Sequence, residues 1–434
     1  MSPVTVGIIG IVVLVIIFLL RMPVGFAMAF VGLIGFSCLV STEAGLSILA
    51  RDVFHIFSSY SLTVIPMFVL MGSIASASGM SKRLYDASYS LLGRLRGGLA
   101  IATVAGCAGF AAICGSTNAT AAAMGKVALP EMKRYNYADS LATGSVAAAG
   151  SLGILIPPST IFIIYGIMTE QSIGKLFLSG IFPGLILATL FIITIVLLCR
   201  RNPKLAPVGV ATSWKDKLAG LVGVTETLVL FSLVIVGLFL GWFSPTQAGA
   251  VGAAGALLIG VASRQLTWQG FLEAVKDALR ITCMVMVIVT GATVFGHFMA
   301  VTKIPFILAD WVVGLPLPTI AIMGVIVLIY LIGGCFMDAL ALITLTIPIL
   351  YPVVLALGFD PIWFGVIIVL VTEMGVITPP VGVNVYVIKG IAKDVPLETI
   401  FKGILPFLVA LIVAISILMA FPQIATFLPN LTTY

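Results

Sequence analysis

Two stretches decide the fold of this chain: GILIPPST, Gly153 to Thr160, and GVITPPVG, Gly375 to Gly382. Each places a Gly-x-x-x-Pro-Pro sequence inside an apolar segment of membrane length. Proline lacks an amide donor and clashes with the preceding turn, which costs roughly 3 kcal/mol or more in a helix. In lipid, the freed carbonyl groups must be buried in protein or line a polar cavity. Two broken helices in matching places therefore predict the midplane binding site of a secondary transporter.

The composition excludes a soluble domain. The chain has 434 residues, of which 61% are hydrophobic and 9% are charged, and its mean hydropathy is +1.25. Apolar runs of about 20 residues, enough to span a bilayer, recur along it, so we predict an all-α polytopic membrane protein. The first run, Val4 to Leu20, lacks the basic start and cleavage site of a signal peptide. Isolated cysteines and only two histidines favour neither disulfides, a metal cluster nor an intramembrane enzyme.

The basic residues predict the orientation in the membrane. If the basic segment around Lys82 and Arg96 is cytoplasmic, eighteen of the 22 Lys and Arg residues lie inside and three outside, with Lys126 in an apolar segment. This positive-inside bias places both termini outside. It requires residues 99–130 and 317–354 to enter and leave on the same side. We therefore predict two re-entrant hairpins, the first open to the cytoplasm and the second to the outside.

The two halves of the chain repeat at a constant offset in residue number. The offset from Pro157 to Pro379 is the same as the offset from Pro23 to Pro245. It also relates two amphipathic segments, 42–60 and 266–280, which are predicted to lie along the membrane interface. Their polar faces carry Arg51 and Asp52, and Glu273, Lys276, Asp277 and Arg280. Because the charges put the first segment outside and the second inside, we predict an inverted repeat. Chance spacing of prolines is the alternative.

These signals predict two repeats and one linker. The first repeat, residues 1–200, holds scaffold helices, the interfacial arm helix at about 42–60, the hairpin at about 99–130 and a broken helix at about 138–169. The polar linker covers 201–224 and is predicted to be cytoplasmic. The second repeat, residues 225–434, holds an arm helix at about 266–280, a hairpin at about 317–354 and a broken helix at about 360–393.

The hairpins are predicted to turn at two polar tips. The first tip is CGSTNAT, Cys114 to Thr120, and the second is GGCFMDAL, Gly333 to Leu340. The segments that follow contain Pro130 and Pro348, which are slightly closer in number than the constant offset and so predict a shorter second tip. Hydroxyl, amide, carboxylate and bared carbonyl oxygens suit a hard alkali cation. Helix N-termini after each tip and each break suit an anionic substrate.

Several of these polar residues have more than one possible role. Ser116 and Asn118 fit a cation site or an ordinary turn with side-chain caps, and Asp338 fits a cation ligand or a helix cap. Glu373 fits a cavity wall or a carboxylate neutralised by a structural partner. Lys126 fits a contact to a substrate carboxylate, an ion pair, or a side chain that extends to the membrane surface.

At these residues the chain resembles the large membrane subunit of TRAP transporters, the tripartite ATP-independent periplasmic family. The resemblance runs nearly end to end. It is carried by RMPVGFAMAF, LTVIPMFVLMGSIASASGM, RGGLAIATVAGCAGFAAICGSTNATAAAMG, ALPEMKRYNY, GILIPPSTIFIIYG and GVITPPVGVNVYV. Several long patterns in the right order make it a specific match.

The resemblance implies Na⁺-driven uptake of an organic acid across a bacterial inner membrane. The hairpins and broken helices would move as an elevator against a scaffold. Two partners are implied: a periplasmic binding protein that delivers the acid, and a small four-helix membrane subunit. That subunit is expected to be a separate chain, because this one starts directly on the large subunit's first helix. The cargo is expected to be a sialic acid, N-acetylneuraminate-like, or else a C4-dicarboxylate.

The resemblance also implies site residues. The first Na⁺ site would use Ser116, Asn118, Gly153 and Pro157. The second would use Gly334, Asp338, Gly375 and Thr378, with Val381 nearby. The substrate would contact Thr117, Ser159, Thr160 and Asn384. Because the second tip lacks the Ser-x-Asn pattern of the first, the two Na⁺ sites need not have equal affinity.

Two other functions fit the same pattern. A standalone Na⁺/dicarboxylate symporter of a related inverted-repeat family would need no binding protein. An ion channel would line a pore with the two hairpins and would show single-channel current.

Overall fold

The chain is helical throughout the part that the structure describes. The computed structural model describes residues 1–20, 22–207 and 214–432, and these form twenty α-helices and two short 3-10 turns. Seven of these helices are long and apolar enough to cross a membrane, or eight if one bent pair counts as a single span. The predicted all-α polytopic membrane protein is confirmed at this level.

The first half contains ten helices. They are α1 (Pro3–Leu19), α2 (Val24–Leu39), α3 (Thr42–Ser58), α4 (Val64–Ala77), α5 (Met80–Leu92), α6 (Gly98–Cys114), α7 (Thr117–Arg134), α8 (Asp139–Ser151), α9 (Thr160–Thr169) and α10 (Ile173–Arg201). Serine hydroxyls cap five of them by accepting a first-turn backbone amide: Ser2, Ser41, Ser116, Ser159 and Ser172. In these five helices, a serine therefore marks the start of the helix, even where the surrounding sequence is apolar.

The second half contains ten more. They are α11 (Trp214–Phe239), α12 (Pro245–Ala262), α13 (Trp268–Thr302), α14 (Ile304–Val313), α15 (Thr319–Phe336), α16 (Ala339–Ala356), α17 (Pro361–Ile377), α18 (Val383–Ile391), α19 (Leu397–Ala420) and α20 (Gln423–Asn430). Ser244 forms a capping box with Gln247, and Asp360 caps α17, which begins with Pro361.

The two hairpin tips have the same length, so the prediction of a shorter second tip is wrong. Both ends of α7 are related to the ends of α16 by the offset that relates Pro157 to Pro379. The same offset relates their capping residues, Ser116 and Asp338. The proline that corresponds to Pro130 is Pro352, since α16 contains a second proline one turn after Pro348. The prediction was wrong because it compared Pro130 with Pro348, the first proline of α16, instead of with Pro352.

Helix α13 is continuous where the first half has a break. In the first half α3 and the following helical segment are bent by 56°. The predicted arm helix 266–280 has no separate end, because it is the start of the 35-residue α13. Pro66 lies in the first turn of α4, where a proline is tolerated best, and it therefore favours a new helix start there. The corresponding position in the second half is Ile288, which allows α13 to continue.

On the first arm segment, α3, large apolar side chains are exposed and one acidic side chain is buried. On α3 the apolar Leu46 and Phe57 are more than half exposed, whereas Asp52 is 6% exposed. One carboxylate oxygen of Asp52 lies 3.0 Å from Nε2 of His297 on α13. Asp52 therefore points towards α13, whereas the side chain of Arg51 on the same helix is 67% exposed.

The predicted linker 201–224 is partly helical. Helix α10 ends at Arg201 and α11 already begins at Trp214. Residues 208–213 of the linker lie outside the described residues. The division of the chain into repeats at this linker stays a prediction.

Glycine lets α2 and α13 pack backbone to backbone. A methyl group added at Gly291 would overlap the carbonyl oxygen of Gly25, and one added at Gly25 would lie 2.8 Å from the carbonyl oxygen of Val287. In a membrane, where apolar side chains gain little by leaving lipid, such close van der Waals contact drives helix association. Helices α2 and α13 are therefore in direct backbone contact.

We expect Gly291→Ala to destabilise the protein by roughly 1–3 kcal/mol, because backbone atoms must shift to make room. Gly324→Ala is the matched control, since Gly324 lies inside helix α15 with nothing within 4 Å of an added methyl group. That change should be neutral or stabilising by up to about 1 kcal/mol. Thermal melts of the detergent-solubilised protein compare them. Equal melting temperatures for both variants would contradict the packing described.

Candidate functional site

Each Pro-Pro break lies directly against the hairpin tip of its own half. A methyl group added at Gly153 would lie 2.5 Å from the carbonyl oxygen of Ser116, and one added at Gly375 would lie 2.6 Å from Cα of Gly334. Gly153 and Gly375 are the first residues of the two Gly-x-x-x-Pro-Pro sequences. The glycine of each motif is therefore required for the tip and the break to meet. The Pro157–Pro158 and Pro379–Pro380 bonds are both cis.

The first tip is fixed to its break by hydrogen bonds. The amide and the hydroxyl of Thr160 donate to the carbonyl of Gly115 at 3.4 and 3.1 Å. Ser159 caps α9 by accepting from the amide of Phe162 at 3.2 Å, and its hydroxyl donates to the carbonyl of Ile154 at 2.5 Å. Ser159 is fully buried, so in this arrangement it holds the break rather than facing a cavity.

The second tip is held in a similar way. Asp338 caps α16 by accepting from the amide of Leu340 at 3.1 Å. The amide of Val381 donates to the carbonyl of Cys335 at 3.3 Å, and the hydroxyl of Thr378 donates to the carbonyl of Met374 at 2.6 Å. The capping role predicted as one alternative for Asp338 is present.

A single side-chain bridge joins the first tip to the second break. The hydroxyl of Thr117 donates to the amide oxygen of Asn384 at 2.7 Å, and the amide nitrogen of Asn384 donates to the carbonyl of Ala147 at 3.1 Å. Both side chains are buried. The first tip is therefore linked to the broken helix of the second half of the chain. The role of Asn384 in this arrangement is to hold Thr117 in place.

The tips open onto one cavity of about 760 Å³. Of the predicted site residues, Ser116, Thr117, Asn118, Thr160 and Asp338 line it. The others lie behind these walls or beside them within the described part of the chain: Gly153, Pro157, Ser159, Gly334, Gly375, Thr378, Val381 and Asn384. The structure thus brings polar side chains of both tips to one space.

Part of the cavity wall lies outside the two tips and was not predicted. It is formed by α4, with Ser73 and Ser76, and by the first part of α13, with Glu273, Asp277 and Arg280. Their charges were visible as the polar face of residues 266–280, but that face was assigned to interfacial water. Because the apolar face of α13 points outward, the charges point into the cavity instead.

Two buried polar groups near the site have no hydrogen-bond partner among the described residues. One is the hydroxyl of Thr120, which would lie 2.8 Å from a methyl group added at Gly153. The other is the carboxyl group of Glu373, which is fully buried in α17. Within the described residues, Glu373 does not line the cavity and has no neutralising partner. Neither of the two roles predicted for it is therefore present. A buried polar group without a partner is costly.

We expect the bridge between Thr117 and Asn384 to hold the tip and the break together. Asn384→Ala leaves the buried hydroxyl of Thr117 without its acceptor and removes the additional bond to the carbonyl of Ala147, at a cost of about 1–3 kcal/mol. Thr117→Val should cost less, and the double variant should cost less than the sum, because both changes remove one bond. Unfolding in denaturant measures the three. Thr225→Val, which removes an exposed hydroxyl that bonds to its own helix, is the control. Strict additivity would contradict the bridge.

The comparisons with known proteins agree with one another. The family described as "Tripartite ATP-independent periplasmic transporter, DctM component" matches residues 11–424. The C4-dicarboxylate TRAP transporter large permease protein DctM of Pseudomonas aeruginosa is 36% identical over 88% of this chain and 89% of its own length. The sialic acid TRAP transporter large permease protein SiaM of Vibrio cholerae is 33% identical over 94% of this chain and 95% of its own.

Two further similarities extend this picture. The isethionate TRAP transporter permease protein DctMQ of Oleidesulfovibrio alaskensis is 36% identical over 87% of this chain but over only 59% of its own length. The crystal structure of the Alcanivorax borkumensis YdaH transporter has a TM-score of 0.62 at 15% identity and covers 88% of this chain and 89% of that one. This second likeness shows the fold alone.

These matches confirm the resemblance seen in the sequence, and they identify a transporter permease rather than an enzyme. The chain belongs to the tripartite ATP-independent periplasmic transporter family, as a DctM large permease component.

Proposed function

We propose that this permease takes up an organic acid across the bacterial inner membrane by Na⁺-coupled elevator transport, with both termini in the periplasm. The supporting observation is the single cavity onto which both hairpin tips open. The tips and breaks are tied together by the Gly153, Gly375 and Thr117 contacts, so they can move as one unit. Helices α2 and α13 pack on each other beyond the cavity and would form the scaffold.

The first proposed Na⁺ site fits the residues present. The carbonyl of Ser116 faces Gly153 at close range, and the hydroxyl of Thr120 beside it has no partner in the described residues. The side chain of Asn118 is exposed to the cavity. Hydroxyl, amide and carbonyl oxygens in one place suit a hard cation. A bound Na⁺ would satisfy the buried hydroxyl of Thr120.

The second proposed Na⁺ site differs in charge. Gly334 and Gly375 bring two backbones together, and Asp338 adds a carboxylate at the cavity wall. Thr378 and Val381 lie beside it, with Val381 bonded to the tip through the carbonyl of Cys335. Na⁺ here would neutralise Asp338 before the tips cross the apolar part of the membrane, where an unpaired charge costs several kcal/mol.

The cargo would occupy the cavity in front of the tips, against Thr117 and Thr160. The DctM and SiaM relatives are named for C4-dicarboxylates and sialic acid. We propose an N-acetylneuraminate-like acid, with a C4-dicarboxylate as the alternative, because the cavity has room for the larger one. Ser159 and Asn384 would act from behind the wall.

The proposed partners are a periplasmic substrate-binding protein and a small four-helix membrane subunit. Support for the small subunit comes from the DctMQ relative, of which this chain matches only 59%. A standalone Na⁺/dicarboxylate symporter is the alternative within transport, and uptake by this chain alone would favour it. An ion channel is the alternative of another class, and single-channel current would favour it.

We expect proteoliposomes that contain this chain and its partners to take up acid only with an inward Na⁺ gradient. Two or more Na⁺ per monoanion would move net positive charge inward, and each such charge gains about 2.3 kcal/mol per 100 mV. Uptake of N-acetylneuraminate, a monoanion, should therefore rise with an inside-negative potential, whereas uptake of succinate, a dianion, should rise only if three or more Na⁺ accompany it.

The double variant Asn118→Ala with Asp338→Ala should reduce this Na⁺-driven uptake at least about tenfold, since each substitution removes proposed oxygen ligands near a tip. Asp310→Asn is the matched control, because Asp310 is an exposed acid on α14 away from the cavity. Undiminished uptake by the double variant would overturn the assignment of the Na⁺ sites.

A further inference from the structure

Lys126 is a cation on the wall of the cavity. It lies on α7, two turns beyond the first tip, and its side chain is exposed to the cavity. The ion pairs found in the described residues involve Arg51, Arg83, Lys133 and His297, and none involves Lys126. Lys126 therefore has no ion-pair partner among the described residues, and the ion-pair role considered from the sequence is absent among them. Its ammonium group also has no need to extend to the membrane surface, because the cavity already solvates it.

The geometry of α7 directs Lys126 towards the first tip. Asn118, Ala122 and Lys126 are four residues apart, so they share one face of the helix, and Lys126 lies about 12 Å along the axis from Asn118. A helical side chain leans over the turn that precedes it, which brings the ammonium group about one turn closer to the tip. The space that remains between it and Asn118 is suited to a small organic acid.

The other charged groups of the cavity decide which side would hold an anion. Glu273, Asp277 and Arg280 lie on the α13 wall, and Asp338 lies on the second tip. Two of the three charges on α13 are negative, so that wall repels a carboxylate more than it attracts one. Lys126 is the cation on the hairpin side of the same space.

We propose that Lys126 binds the anionic group of the transported solute, a carboxylate or a sulfonate, and so keeps the solute on the hairpin rather than on α13. This subsite rests on the proposed function for its role in transport. It explains why a charged residue stands in an otherwise apolar helix segment without an ion-pair partner in the described residues. The proposed subsite also binds the anion at Lys126 while Na⁺ binds at the tips, so the solute and the coupling ion occupy separate positions.

The test measures binding without a gradient, a partner or a transport cycle. The purified full chain is melted with millimolar succinate, isethionate or N-acetylneuraminate, and with glycerol as an uncharged probe. We expect at least one acid to raise the melting temperature of the natural protein, while glycerol does not. Lys126→Met should weaken this effect by roughly 10- to 100-fold in apparent affinity, as expected for loss of a charged hydrogen bond. Lys126→Arg should restore most of it.

Arg280→Met is the charge-matched control, because it removes one positive charge from the α13 wall of the same cavity. If cavity charge alone mattered, both variants would lose the effect equally, and that result would overturn the proposal. So would an unchanged effect in Lys126→Met, or no effect of any acid on the natural protein. If Lys126→Met does not melt cooperatively, Lys126→Gln takes its place.

In reconstituted uptake, Lys126→Met should raise KM with a smaller change in maximal rate, because it removes ground-state binding. Failure of the natural protein to transport would instead overturn the proposed function, and the melting result would still decide the role of Lys126.

Discussion

The rest of the structure depends on the close approach of each hairpin tip to the glycine of its Pro-Pro break. Gly153 lies against Ser116, and Gly375 lies against Gly334, at distances that leave no room for a side chain. A helix broken in a membrane must find partners for its freed backbone groups. Here those partners come from the tip, and the tip in turn is held by the break. The polar atoms that this arrangement brings together are the ones that line the cavity.

The charge distribution follows from the same constraint. Large apolar side chains of α3 and α13 are exposed, whereas Asp52 turns inward to meet His297, and Glu273 and Asp277 line the cavity. In a soluble protein the same amphipathic pattern would put the charges outside. The inward charges give the cavity two distinct walls, one that carries an acidic helix and one that carries the hairpin tips.

Much of the fold could be predicted from the sequence because strong local signals mark it. Serine, threonine or aspartate caps begin several of the helices, and the two Pro-Pro sequences interrupt the broken ones. The positions of Ser116 and Asp338 on two tips were predictable for this reason. The tip spacing was mispredicted because α16 contains two prolines, and only the hydrogen-bonded helix shows that Pro352 corresponds to Pro130.

The site was predicted in part. Side chains on the tips were found because small and oxygen-bearing residues stand out in apolar sequence. The wall formed by α13 was missed because the pattern of an amphipathic helix does not say whether water or a cavity faces its charges. The sequence could not decide between the roles considered for Lys126 and Glu373. A charged residue in an apolar segment gives the same sequence pattern whether or not its side chain has an ion-pair partner.

The sequence by itself determined that this is an all-helical membrane protein with two broken helices, two polar tips and a constant offset between its halves. Hydrophobic length and proline chemistry act locally, so they can be read along the chain. Only the tertiary structure decided that Thr117 bonds to Asn384, that both tips share one cavity, and that Lys126 has no ion-pair partner in the described residues. These facts depend on which surfaces meet, and residues 267 positions apart in the chain meet only when the helices pack.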